Sequence, residues 1–249
     1  MITARRAMKA AGKYASKAWL CMRMGLGDEG DMHCPACQSS VPGFFRYGDC
    51  ADWGCPKCGA SPRARLVNYL IDSGKLTLPQ GGSILHMAPN EASLVTRFRD
   101  AASNYLPADI DPSRYPVDGV RCVDLMDIGE INEFDLFYAS HVMEHVPDDA
   151  LVLRNIYDAL KPGGEAWLIV PLWDKPSEDG TPGMTGRERE RRFGQWDHVR
   201  QYGPDFADRV RAVGFDVEVL KAEDLSGLGV VSMALGESLF RACKPKAGR

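Results

Sequence analysis

Residues 134–171, FDLFYASHVMEHVPDDALVLRNIYDALKPGGEAWLIVPL, constrain the fold more tightly than any other stretch of the chain. An apolar run from Phe134 to Ala139 ends in a polar cluster of Ser140, His141, Glu144 and His145. A helical pattern over 148–160 follows and is expected to stop at Lys161-Pro162-Gly163-Gly164, before a second apolar run from Ala166 to Leu172. Strand, crossover helix and strand in this order build a parallel sheet. Polar side chains just past the carboxyl end of such a strand stand where open α/β sheets bind ligands.

The same alternation runs through the rest of the C-terminal two thirds and sets the fold class as α/β. Strands are predicted over 84–88, 105–110, 120–125, 134–140, 165–171, 215–220 and 238–243. Helices are predicted over 90–102 and 148–160, and from Pro204 to Gly214. Residues 173–202 are polar and irregular, too long for an ordinary connection, and read as an insertion in a domain spanning 83–249. Upstream, 62–82 read as a helix and linker, with Ser61 as N-cap and Pro62 in the first turn.

The N-terminal residues differ in character. Residues 1–27 carry Arg5, Arg6, Lys9, Lys13, Lys17 and Arg23 with no acid. The whole chain has a net charge of −4, so the remainder carries −10 and is a poor general partner for phosphate backbones. Over 3–24 the residues Ala4, Met8, Ala11, Ala15, Ala18, Trp19 and Met22 recur at helical spacing, with the positive charges on the other side. Such a helix either packs on a protein surface or lies on an anionic membrane as a peripheral element. No run of 18 apolar residues is present, and no apolar segment of secretory type follows the basic start.

Eight cysteines include two Cys-x-x-Cys pairs, Cys34–Cys37 and Cys55–Cys58, separated by seventeen residues. Each pair aims two sulfurs at one ion, and four complete the tetrahedral shell that Zn2+ favours. Residues 28–61 are therefore read as a zinc ribbon, with His33 and Cys50 as spare ligands. Four thiolates leave no open coordination position, so this metal is structural. Thiolate ligands suit a reducing, cytoplasmic setting.

The run 134–171, with its LKPGG turn, resembles the class I S-adenosylmethionine-dependent methyltransferases, and the cysteine module followed by ILHMAPNE resembles a subgroup with an N-terminal zinc ribbon. The resemblance covers about residues 83–243. It implies a Rossmann-like sheet of seven strands, the last antiparallel, with S-adenosyl-L-methionine as cofactor and a structural Zn2+. It also implies site residues. His86, Ala88 and Asn90 occupy the loop after the first strand, where the family has an acid and glycines. Asp109 matches the acid that accepts the ribose hydroxyls, with Ile110 beside it and Asp111 as the alternative. Asp124 and Leu125 match the adenine position, and Ser140 and His141 flank the methionine portion.

The insertion contributes Trp196, His198, Arg200 and Tyr202. His198 is the expected general base, because an imidazole titrates near pH ~6.5, and His141 competes for the role. Arg200 is expected to hold an anionic substrate by a forked contact, with Tyr202 and Trp196 beside it. A metal role for the His141-x-x-Glu144-His145 run is disfavoured, and His145 reads as a packed histidine. The expected function is O-methylation of a small-molecule or glycan acceptor by an enzyme of the cytoplasm, with a peripheral site on the inner membrane surface open through residues 3–24. The alternatives are an RNA methyltransferase whose ribbon, with Arg63 and Arg65 adjoining, binds RNA, and a non-catalytic scaffold. A ribbon of about thirty residues buries little core, so metal binding supplies much of its folding free energy. Chelation is expected to unfold 28–61 before the rest, as read by limited proteolysis. Purified protein without near-stoichiometric zinc would refute the ribbon.

Overall fold

The computed structural model describes residues 4–225 and 237–246, with side chains from Met8 onward. Thr3, the first residue of the expected N-terminal helix, lies outside the described residues. Two compact units are present, one of residues 1–77, 91–96 and 221–237, the other of 78–90, 97–220 and 238–249.

The first unit starts with helix α1 (Ala4–Gly25), then two antiparallel hairpins, β1 (Met32–Cys34) with β2 (Ser39–Val41) and β3 (Phe45–Tyr47) with β4 (Cys50–Gly54), then α2 (Pro62–Asp72). Ser61 caps α2 by accepting from the Ala64 N–H at 3.2 Å, with Pro62 in the first turn. Amphipathic α1 faces opposite to what hydrophobic periodicity suggests. Met8, Trp19, Met22 and Leu26 are exposed, whereas Lys13 lies 4.9 Å from the Trp53 ring and Lys17 5.6 Å from the Phe45 ring. The two ammonium groups sit on the negative faces of ribbon aromatics, an attraction worth about 0.5–1 kcal/mol each at exposed sites. Leu20, beside them on the helix, is buried.

From residue 83 the chain follows the expected alternation: β5 (Ser83–Met87), α3 (Ala92–Ala101), β6 (Asn104–Asp109), β7 (Arg121–Cys122), β8 (Phe134–Ser140), α4 (Asp149–Ala159), β9 (Leu160–Ile169), β10 (Glu178–Asp179), α5 (Gly186–Phe193), β11 (Arg200–Gln201), α6 (Phe206–Arg211), β12 (Asp216–Lys221) and β13 (Ser238–Cys243), all in the second unit but for the first half of α3 and the last residue of β12. Seven of these strands form one mixed sheet in the order β12-β13-β9-β8-β5-β6-β7. The pairs β5–β6, β5–β8, β6–β7 and β8–β9 are parallel, and β13 is antiparallel to β9. The chain winds outward from β5 through β6 and β7, then returns to lay β8 on its other edge. The strand order therefore reverses between β5 and β8, the switch point where ligands bind in open sheets.

Three local readings are corrected. The helix does stop ahead of the LKPGG run, at Ala159, but the fifth strand begins earlier than expected, at Leu160 in place of 165, with Leu160 paired to Phe134 across a bulge. The strand expected over 120–125 is only Arg121–Cys122, because the Asp124 carboxylate accepts the Met126 N–H at 2.9 Å and turns the chain. The insertion is ordered by β10, α5 and β11, with α5 held by a full capping box of Thr185 and Glu188.

The core of this unit gathers Leu85, Phe137, Leu153, Ile156, Leu168 and Phe240. His86 is fully buried among the rings of Phe98, Tyr105 and Tyr138. Its Nδ1 lies 2.9 Å from the Tyr105 hydroxyl, and its Nε2 has no hydrogen-bond partner among the described residues. Burial pushes its pKa down to about 3. Below an unfolded value near ~6.5 the unfolded chain takes up a proton that the folded core refuses. Stability is thus expected to fall by up to about 1.4 kcal/mol per pH unit from this residue between pH ~6.5 and about 3. Urea denaturation of wild type and His86→Phe at pH 7 and pH 5 checks this, the variant showing the flatter dependence.

Candidate active site

The switch point places two strand ends side by side, and both turn sharply. Ile84 pairs with Leu136 and His86 with Tyr138, so Ala88 stands level with Ser140. Ala88 and His141 both take left-handed backbone angles, φ 50° and 55°. Non-glycine residues pay strain there, which the surrounding hydrogen bonds must hold. Ala88 N–H donates to the Ala108 carbonyl, and His141 N–H to that of Ile169. Ala88 takes this geometry with a methyl, the smallest side chain above glycine. Asn90 remains exposed beside it.

Asp109, at the carboxyl end of β6, is buried. One oxygen accepts the Asp111 N–H and the other the Tyr115 hydroxyl, each at 2.8 Å. Burial and this bond to Asp109 raise the Tyr115 pKa. Ile110 next to it is exposed. Asp111 is occupied differently, accepting from Ser113 at 2.6 Å. At the end of β8 the Ser140 hydroxyl is buried without a hydrogen-bond partner among the described residues. A buried donor left unpaired is costly, so it marks a place built for a ligand atom. An acceptor-only carboxylate, an exposed apolar neighbour, a turned backbone and an orphaned hydroxyl at adjacent strand ends suit the ribose, base and amino-acid parts of S-adenosyl-L-methionine. Asp124 is exposed beyond β7, but Leu125 is turned into the core, and half-buried Met126 is the apolar side chain next to it. His86 faces the aromatic core and offers nothing to this edge.

A second cluster lies past β8, on the turn Met143–His145 and the insertion. Glu144 is fully buried, with Oε1 3.3 Å from His141 Nδ1 and 4.0 Å from His198 Nε2. The His145 and His198 rings meet edge to face at 4.8 Å, and His145 Nδ1 lies 3.6 Å from an Asp197 oxygen. Burial lowers the pKa of both rings. Glu144 thus stands between His141 and His198, and His198 is buried, with Nδ1 on the Phe193 carbonyl at 3.1 Å and Nε2 turned to Glu144. It is not a free base open to an acceptor. Glu144 was expected to be structural, and its contact with both histidines depends on an insertion more than fifty residues away.

Arg200 and Tyr202, expected beside the substrate, are engaged within the fold itself. The Arg200 guanidinium is buried and donates to Asp179 at 2.7 Å, to the Pro147 carbonyl at 3.0 Å and to the carbonyls of Met143 and Val146. Tyr202 is fully buried, its hydroxyl on Asp149 at 3.1 Å. Arg209 bonds both Asp149 and Asp179, and together with Arg200 it holds the Asp179 carboxyl below its usual range. Trp196 stays exposed on the insertion.

In the first unit the four cysteine sulfurs lie within 4.8 Å of one another, with Cys34–Cys58 at 3.8 Å and Cys37–Cys55 at 3.9 Å. Sulfurs bound tetrahedrally at ~2.3 Å from one ion stand about 3.8 Å apart, so the donor set fits Zn2+. Gly59 turns the second knuckle at φ 79°. Cys50 and His33 are not among the four. Arg65, adjoining the ribbon, is buried and spends its guanidinium on the carbonyls of Asp52, Trp53 and Ala60, so it is not available to phosphates.

The methyltransferase-domain family model matches residues 52–218. No curated protein matches the chain. Among solved structures the chain is similar to the [4+2]-cyclase SpnF, at 15% identity and TM-score 0.53, covering 95% of this chain and 96% of that one. It is also similar to a chain of the complex between the Haloferax volcanii Trm112 methyltransferase activator and a methyltransferase, at 12% identity and TM-score 0.51, covering 74% and 96%. An S-adenosylmethionine-dependent methyltransferase from Mesorhizobium loti matches at 17% identity and TM-score 0.47 over 69% and 94%. At these identities the likeness speaks for the fold alone. The Arg200 assignment has its own test. Arg200→Ala leaves Asp149 and Asp179 facing Arg209 alone and is expected to cost about 3–5 kcal/mol in chemical denaturation. A variant as stable as wild type would return Arg200 to the substrate site.

Proposed function

The chain belongs to the methyltransferase-domain family, and from that premise we propose that it transfers the methyl group of S-adenosyl-L-methionine to an oxygen of a small-molecule or glycan acceptor. The observation that carries the donor half is the buried Asp109 carboxylate beside exposed Ile110 at the end of β6, on the same sheet edge as the orphaned Ser140 hydroxyl at the end of β8, with β5 between them. When bound, the sulfonium supplies an electrophilic methyl carbon. Asp109 keeps acceptor capacity for ribose hydroxyls beyond its bonds to Asp111 and Tyr115. Ile110, Asp124 and Met126 border the base. Ala88 and Asn90 shape the loop beside the amino-acid portion, where Ser140 donates a hydrogen bond and His141 lines the wall.

The acceptor enters from the insertion, past Trp196, toward His141 and the buried His198. With the donor bound, the acceptor oxygen would bond the methyl carbon as the carbon–sulfur electron pair returns to sulfur, the acceptor proton passing to His141 or to solvent water. The protein contributes chiefly proximity and in-line alignment. In this reading Cys34, Cys37, Cys55 and Cys58 hold a structural Zn2+ in a reducing cytoplasmic setting, and the outward stripe of α1 is the surface for a peripheral membrane or protein contact.

Calorimetry with S-adenosylmethionine and S-adenosylhomocysteine tests the donor site without knowledge of the acceptor. Wild type is expected to bind both. Asp109→Ala removes charge-assisted bonds worth about 1.5–3 kcal/mol and is expected to weaken binding roughly 10–100-fold. A wild type that binds neither is a scaffold on a methyltransferase fold, and unchanged binding by the variant removes Asp109 from the ribose.

A further inference from the structure

We propose that Glu144, His145 and His198 hold a divalent transition-metal cation at the acceptor edge of the site. One donor atom from each residue lies within 4.8 Å of the others. Proximity alone would be weak grounds, but the far side of the His198 ring is also arranged. The Phe193 carbonyl can only accept, so at 3.1 Å it fixes the proton of His198 on Nδ1 and leaves the Nε2 lone pair pointing inward. That lone pair faces Glu144 Oε1 at 4.0 Å, too far for a hydrogen bond. On the other ring, an Asp197 oxygen stands 3.6 Å from His145 Nδ1, an ion-pair separation that favours positive charge at this edge. The carbonyl behind the His198 imidazole is the support that metal-ligating histidines take.

Donors bound at ~2.0–2.1 Å stand about 3.3–3.4 Å apart in a tetrahedral site, so the Glu144–His198 pair at 4.0 Å needs a contraction of about 0.6 Å and a pair at the 4.8 Å limit one of about 1.4 Å. Glu144 is fully buried, and a cation beside it offsets the cost of a desolvated carboxylate. Two imidazoles with one carboxylate suit Zn2+, Fe2+, Co2+ or Ni2+, whereas Mg2+ and Ca2+ select oxygen donors.

The backbone holds the donors in place. Val199 N–H donates to the Glu144 carbonyl at 2.9 Å, tying the turn to the segment that carries His198. Arg200 fastens the same turn through the carbonyls of Met143, Val146 and Pro147. His141 Nδ1, 3.3 Å from Glu144 Oε1, orients the carboxylate from the strand side. Three protein ligands leave a coordination position open. That position would take the acceptor oxygen and acidify it, which removes the need for a free base. This role rests on the methyl-transfer reading; the metal site does not.

Metal analysis followed by Co2+ titration of the purified protein tests the site. The expected total is two metal ions per chain, one in the cysteine site and one whose Co2+ form lacks thiolate-to-metal absorption. His198→Ala and Glu144→Gln are each expected to lose the second ion, keep the first, and bind S-adenosylhomocysteine as wild type does. A total of one ion overturns the proposal, as does a second ion that survives both variants or shows thiolate absorption. Should the variants fail to fold, the wild-type count and spectrum decide. S-adenosylhomocysteine binding is read separately, so failure of the metal site leaves the donor reading standing, and the converse holds.

Discussion

The parallel pairing of β5 with β8 is the constraint on which the site depends. The two strands are adjacent in space but separated in sequence by α3, β6 and β7, so their joining reverses the strand order and opens a crevice at their carboxyl ends. That pairing sets Ala88 level with Ser140 and brings Asp109, one strand further out, to the same edge. None of these residues binds a nucleoside alone. Register supplies what each lacks.

The alternation of strand and helix was legible because each element has to bury one apolar face, and the period of that face is written locally. The gathering of Cys34, Cys37, Cys55 and Cys58 was legible for a similar reason, since two residues suffice to make each turn. What escaped depends on partners distant in the chain. His86 reads as a loop residue beside a cofactor until Phe98, Tyr105 and Tyr138 close around it. Arg200 reads as a substrate clamp until the Met143–Pro147 carbonyls consume its fork. Leu125 and Asp124 are neighbours, yet only the acid faces out, because its own oxygen bends the chain after two residues of strand. For α1, periodicity identified the stripe but not which side docks, since the ring faces that attract Lys13 and Lys17 come from β3 and β4.

Charge is distributed on the same logic. The sheet interior accepts a histidine only in neutral form, whereas the insertion gathers two arginines and two aspartates that satisfy one another. Removing one member strands the rest, so the network specifies a conformation more than it adds stability. The family assignment and the fold describe a donor pocket that many chemistries share. Past β8 this chain gathers three imidazoles and a buried carboxylate in one small volume.

The ties between the insertion and the turn after β8 also bear on traffic through the site. Val199 and Arg200 are anchored to the backbone of 143–147, not only to side chains. A segment sewn to the floor in this way does not swing open as a flap. On the proposed reading, an acceptor entering past exposed Trp196 would meet a rim that the backbone itself already fastens in place.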